Sequence, residues 1–152
     1  MAVSVQPEDF DVGAEMAAMT TGRADIGALV SFTGLVRDMA GGSEMVLEHY
    51  PGMTEKALEK IEAEARARWE LQDCRIIHRY GALEAGAQIV LVITASPHRQ
   101  AAFEAAEFIM DFLKSRAPFW KKEAGGGWVD AREADEAALG RWRSQVLQTV
   151  TR

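Results

Sequence analysis

The sequence predicts an α+β fold, in which an antiparallel or mixed sheet packs against two long helices, and three observations carry that prediction. Strand-like runs come in pairs joined without an intervening helix, at 74–80 with 88–95 and at 119–123 with 128–131. Such pairs favour antiparallel neighbours over doubly wound repeats. Two further stretches, 54–69 and 97–116, carry apolar residues at helical spacing. The breaks between periodic segments are short and contain glycine, at 40–43, 81–86 and 125–127, with no repeat and no low-complexity linker.

Taken in order, 3–6 reads as a short strand and 12–19 as a short helix. Residues 26–37 are rich in β-branched and apolar side chains and read as a long strand, with Gly27 and Gly34 as expected bulges; 45–50 is expected to pair beside it. Pro51 and Gly52 mark a turn, after which Thr54 is expected to cap a helix that buries Leu58, Ile61, Ala65 and Trp69. Glu55, Lys56, Glu59, Lys60, Glu62 and Glu64 fall on its solvated face. Strands at 74–80 and 88–95 follow, joined by a glycine-bracketed reversal. The second long helix is expected to start with Ser96 as N-cap and Pro97 as first helical residue, and to bury Phe103, Ala106, Ile109, Met110 and Leu113. Pro118 ends it near Ala117. An extended segment at 119–123, a partner strand at 128–131 and a closing helix at 135–142 complete a single domain over 1–142, with 143–152 as a C-terminal tail.

At 152 residues the chain is long enough for one domain with its own core. The formal net charge of -6 argues against a broad nucleic-acid surface, which needs clustered cations over several phosphates. No apolar run approaches the roughly 20 residues that span a bilayer, and residues 1–10 lack the pattern of a signal peptide, so a cytoplasmic protein without membrane contact is expected. The single cysteine, Cys74, lies in an apolar strand and is expected to pack rather than react. His49, His78 and His98 show no metal-ligand spacing; no metal and no cofactor are expected.

Against that acidic balance, the segment 114–123 gathers Lys114, Arg116, Lys121 and Lys122 with Phe119 and Trp120 around Pro118. An ordinary structural role explains part of this, since cations favour the C-terminal end of a helix dipole and lysines suit a strand edge. A second group, Ser96 to Arg99, stands at a helix start, where free backbone N–H groups favour an anion and where His98 and Arg99 add to that preference. Arg37 ends a long strand before a glycine-rich loop, and His49 reads first as a strand-to-helix corner. His98 and Lys114 share one helix, sixteen residues apart, or roughly 24 Å at 1.5 Å per residue. Two copies of the chain would have to wall one small pocket if both groups served it; two independent anion sites are the competing explanation.

Five stretches then converge on one family: Ser-Phe-Thr-Gly-Leu-Val-Arg-Asp at 31–38, Leu-Glu-His-Tyr-Pro-Gly-Met-Thr-Glu-Lys at 47–56, Ile-Ile-His-Arg at 76–79, Ser-Pro-His-Arg at 96–99, and Phe-Ile-Met-Asp-Phe-Leu-Lys-Ser-Arg-Ala-Pro-Phe-Trp-Lys-Lys-Glu at 108–123. In these the chain resembles the large, catalytic subunit of molybdopterin synthase, over about 3–142. The resemblance implies an α/β-hammerhead type of fold and a homodimer with one small ubiquitin-like sulfur-carrier subunit at each end, making a heterotetramer. It also implies a sulfurtransferase reaction: two sulfur atoms pass from the carrier's C-terminal glycine thiocarboxylate to cyclic pyranopterin monophosphate, forming the dithiolene of molybdopterin. Carried over by motif, Lys121 is the main catalytic residue and Lys114 the supporting one. Arg37, Lys122, Arg132, Phe32 and Met110 line the pocket, with His98 and Arg99 supplied by the neighbouring copy. Leu35 and Ala87 depart from the common threonine and aspartate, away from this chemistry.

Two other function classes compete. A non-catalytic module would use the same cations to grip a ubiquitin-like partner's tail, and a free-standing phosphate-binding enzyme would need no protein partner. No nucleophile stands beside the basic groups to support the latter.

Overall fold

The structure is a computed structural model that describes residues 2–37, 45–123, 128–129 and 142, by backbone alone at 120–123 and 128–129. Its elements run β1 (Val3–Gln6), α1 (Val12–Thr20), β2 (Ala28–Leu35), β3 (Met45–His49), α2 (Met53–Arg68), β4 (Asp73–Arg79), β5 (Gly81–Leu83), β6 (Gln88–Ser96), α3 (Arg99–Arg116), β7 (Phe119–Glu123) and β8 (Trp128–Val129). They form two four-stranded sheets, ordered β1-β4-β6-β2 and β5-β3-β7-β8. β1 and β4 are parallel and the other pairs antiparallel, which is the α+β arrangement the strand pairs predicted. None of the described helices is long and apolar enough to cross a membrane.

The first sheet is buried on both sides at β6. Val90 and Val92 belong to the main core with Leu58, Ile61 and Ala65 of α2 and Phe108, Ile109 and Leu113 of α3. Leu91, Ile93 and Ala95 alternate with them and join Phe10 and Met19 of the α1 side. A strand covered on both faces loses the polar alternation of a half-exposed one, so the continuous apolar run here follows from its central place. Each fully buried Leu or Ile contributes roughly 1.5–3 kcal/mol through removal of its surface from water.

Several expectations are corrected. β3 does not pair beside β2; it lies in the second sheet between β5 and β7. The chain leaves the first sheet at Gly81, whose φ of 100° suits glycine, and the short β5 that follows gives β3 an edge. β4 and β6 do pair antiparallel, but their connection contains β5 and is not a plain reversal. Gly52, not Thr54, is the N-cap of α2: the Glu55 carboxylate accepts the Gly52 N–H at 2.8 Å. Thr54 is fully buried, and its hydroxyl accepts from the Tyr50 N–H and donates to the Tyr50 carbonyl.

The start of α3 is also shifted. His98 is its N-cap, in extended conformation, and Arg99 its first residue. Ser96 completes β6 opposite Ala28, and its hydroxyl donates to the Glu70 carbonyl at 2.9 Å, so it is engaged by the strand corner. Phe103 is 62% exposed, whereas Ala102, Ala105 and Ala106 beside it are buried; only the neighbouring face of the helix meets the sheet. The register shift at Gly34 and Leu35 matches an expected bulge. Gly27 instead makes a close approach, since a Cβ there would lie 2.0 Å from the Pro97 carbonyl oxygen. The closing helix at 135–142 and the tail at 143–152 lie outside the described residues apart from Trp142. Trp142 is buried, packs edge-on against Phe108 and Trp69, and donates its indole N–H to Asp111.

Candidate functional site

The long helix α3 sets the geometry of the cations. β6 ends at Ser96, and α3 begins at Arg99 and packs back on β6 and β2. It therefore runs against β6 and along the direction of β2. Eighteen residues of helix span about 27 Å and eight residues of strand about 26 Å, so the two elements have matched lengths. Arg37, beyond the end of β2, thus lies toward the Lys114 end of the layer, and His98 and Arg99 lie at the other.

At the N-terminal end, His98, Arg99 and Gln100 are exposed and border a shallow depression with Gly27, Ala28 and Pro97. No acidic residue of α3 itself stands in its first turn, where a carboxylate would favour the positive end of the dipole. Thr94 anchors this turn from below: its buried hydroxyl donates to the Ala102 carbonyl at 2.7 Å. Gly27 donates its N–H to the Ser96 carbonyl and lets the backbone of residue 97 close over it.

At the C-terminal end, Lys114 and Arg116 occupy the last turn and are exposed, with the Arg116 guanidinium 5.8 Å from the Phe112 ring centre. Ala117 closes the helix through its N–H to the Leu113 carbonyl, and after Pro118 the chain enters β7. Lys121 stands in register with Leu47 and Val129, and Lys122 with Val46 and Trp128. Arg37 is exposed, and its root is fixed because Val36 donates to the Ala87 carbonyl and accepts from the Gly86 N–H. Phe32 is half-exposed on β2, while Met110 is 9% exposed within the main core. Arg132 lies outside the described residues.

No pattern along the chain signals how β7 is held at its start. Phe119 stacks on the buried imidazole of His78, with ring centres 3.6 Å apart and planes 17° apart. His49 stands opposite Phe119 in register and packs against Tyr80, with its Nδ1 3.2 Å from the Thr54 hydroxyl. His49 is thus the structural corner that the sequence suggested. Cys74 is buried in β4, and burial pushes its thiol up to about 12.

Chemically, each end of α3 presents cations to an anion, but His98 and Lys114 are about 24 Å apart along one helix. A small ligand that touches both must take them from different copies of the chain.

The family model described as MoaE protein matches residues 5–116. The chain is 59% identical over 148 residues to the molybdopterin synthase catalytic subunit of Mesorhizobium japonicum, with 93% of each covered. Among solved structures it is similar to the molybdopterin biosynthesis MoaE protein from Burkholderia ambifaria, at 54% identity and a TM-score of 0.81 over 93% of this chain and 98% of that one. It is also similar to molybdopterin synthase from Staphylococcus aureus, at 31% identity and a TM-score of 0.76 over 85% of this chain and 97% of that one. A match over most of the chain, at this identity and with the same fold, has one meaning: the chain belongs to the MoaE protein family.

Proposed function

We propose that the chain acts as the catalytic subunit of molybdopterin synthase, a cytoplasmic sulfurtransferase that moves sulfur from a small ubiquitin-like carrier to cyclic pyranopterin monophosphate. The observation that carries the reading beyond family membership is the division of cations between the two ends of α3, with Arg37 and β7 at the Lys114 end. In this reading two copies of the chain pair. His98 and Arg99 of one copy, with the free N–H groups of the α3 start, meet the substrate's cyclic phosphate. Arg37, Lys114, Lys121, Lys122, Arg132, Phe32 and Met110 of the other copy surround the carrier's glycine tail and the reacting atoms.

Sulfur transfer develops negative charge on the oxygen and sulfur of the thiocarboxylate, and fixed ammonium groups stabilise that charge without reorganisation. Lys121 supplies the main stabilisation and Lys114 supports it. In this reading Lys121 also moves a proton to or from the reacting group. Sulfur arrives on the partner, so the chain needs no reactive thiol of its own.

A single-turnover assay with purified chain, thiocarboxylated carrier and cyclic pyranopterin monophosphate tests the reading; dithiolene product is expected, and none with a competent carrier refutes it. Lys121→Ala should abolish turnover while carrier binding survives. Mixing a His98→Ala chain with a Lys121→Ala chain should recover activity, because one pocket of each heterodimer is then intact. Failure to recover, with subunit exchange verified, refutes the shared pocket.

A further inference from the structure

The path from Lys114 to Lys121 crosses from the end of α3 into the second sheet through Ala117 and Pro118, and the first side chain that fixes it laterally is Phe119. That ring is held from the other sheet. His78, in β4, is 6% exposed, and its imidazole lies flat against Phe119 at 3.6 Å. The orientation of the imidazole is itself set, because Nδ1 donates to the Arg79 carbonyl at 2.8 Å. His49 flanks the same ring at 6.1 Å.

Lys121 is two residues beyond Phe119, about 7 Å along the strand. Its place is a matter of register: Phe119 stands opposite His49, Trp120 opposite Glu48 and Lys121 opposite Leu47. A slip by one residue would set Lys122 opposite Leu47 in place of Lys121 and exchange the faces of the strand. Among the described residues, β7 pairs on its other side only with β8, in two register positions at Lys121 and Lys122, whereas the stack holds the strand at its start.

We propose that His78 is a positioning residue for sulfur transfer, its stacked imidazole holding Phe119 and, through it, the register at which β7 presents Lys121. The inference rests on the reading that Lys121 serves the reaction. Misplacement by about 1 Å can cost on the order of a hundredfold in rate, so a group that touches no substrate can control turnover through this one contact.

The test uses the full chain with thiocarboxylated carrier and cyclic pyranopterin monophosphate, reading single-turnover rate at saturation, KM for the pterin, carrier affinity and Tm. His78→Ala should lower the saturated rate about 10- to 100-fold with carrier affinity unchanged. His78→Phe, which keeps a flat ring against Phe119, should restore most of the rate, a rescue that a merely structural role would not link to turnover. Phe119→Leu should reproduce the defect, and combining it with His78→Ala should add little, since both remove one contact. A His78→Ala chain that turns over at the wild-type rate, whatever its Tm, overturns the proposal, as does a His78→Phe chain as slow as His78→Ala. Should His78→Ala fail to fold, Phe119→Leu decides: a wild-type rate overturns the proposal and a slow rate supports it. A wild-type chain without product, or Lys121→Ala with unchanged turnover, removes the catalytic reading and this inference together, whereas an active wild type with an unaffected His78→Ala removes the inference alone.

Discussion

Alkylation of Cys74 checks where the transferred sulfur can reside, because a chain that carried sulfur on its own cysteine would need a reactive thiolate. Burial raises the Cys74 thiol from 9.0 to about 12, reinforced by the charges of Glu62 and Asp73 and opposed by Arg66. The thiolate is the nucleophile. At pH 8 a thiol at 9.0 is about 10% ionised and one near 12 only about 0.01%, a difference on the order of a thousandfold that follows from three pKa units. Cys74 is also 2% exposed, so a reagent reaches it only through an opening of the fold. Incubation with iodoacetamide at pH 8, followed by mass spectrometry, should therefore label the urea-unfolded chain about a thousand times faster than the native one. Native labelling within about tenfold of the unfolded rate would refute the reasoning, because the thiol would then be neither desolvated nor enclosed. The same shift has a sign in stability. The folded state holds the proton longer than the unfolded one, so stability is intact below pH 9.0 and declines as pH rises from there toward about 12, by about 1.4 kcal/mol per pH unit. Cys74→Ala should remove that alkaline slope and leave the turnover of the folded protein unchanged.

Two further perturbations probe the start of α3. Gly27→Ala would place a methyl 2.0 Å from the Pro97 carbonyl oxygen, a backbone atom that cannot turn aside; a loss of about 1–3 kcal/mol in urea denaturation and a raised KM for the pterin are expected, and an unchanged midpoint would show that the close approach is not needed. Thr94→Val keeps the shape of a fully buried side chain but removes the hydroxyl that donates to the Ala102 carbonyl at 2.7 Å, so a loss of about 1–3 kcal/mol is expected in the same assay.

Much of the fold was legible along the chain. The periodicity that placed Leu58, Ile61 and Ala65 on one face of α2 is local, and so is the stop at Pro118; both hold in the structure. Helix starts were less legible, because pairing and packing with distant segments decide where a strand stops and a helix begins. Ser96 has the right residue type for an N-cap, but pairing opposite Ala28 extends β6 through it; its hydroxyl donates to the Glu70 carbonyl, distant in sequence, and accepts the His98 N–H at 3.4 Å, and His98 holds the cap position. Thr54 is likewise drawn into the corner around Tyr50, which leaves the cap to Gly52. Phe103 shows the limit of a helical stripe: its position falls at the margin, and only the sheet beneath α3 settles which side is covered.

The sequence by itself determined the family, through motifs spread from 31 to 123, and the separation of His98 from Lys114, because rise per residue fixes distance along a helix. Only the tertiary structure decided that β3 sits beside β7, that Gly27 lies under Pro97, and that Phe119 is keyed to His78 across two sheets. Those are contacts between residues far apart in the chain. Alternation along a strand states which face is buried but not which strand lies beside it, so the neighbour is chosen by packing and backbone pairing across the whole fold.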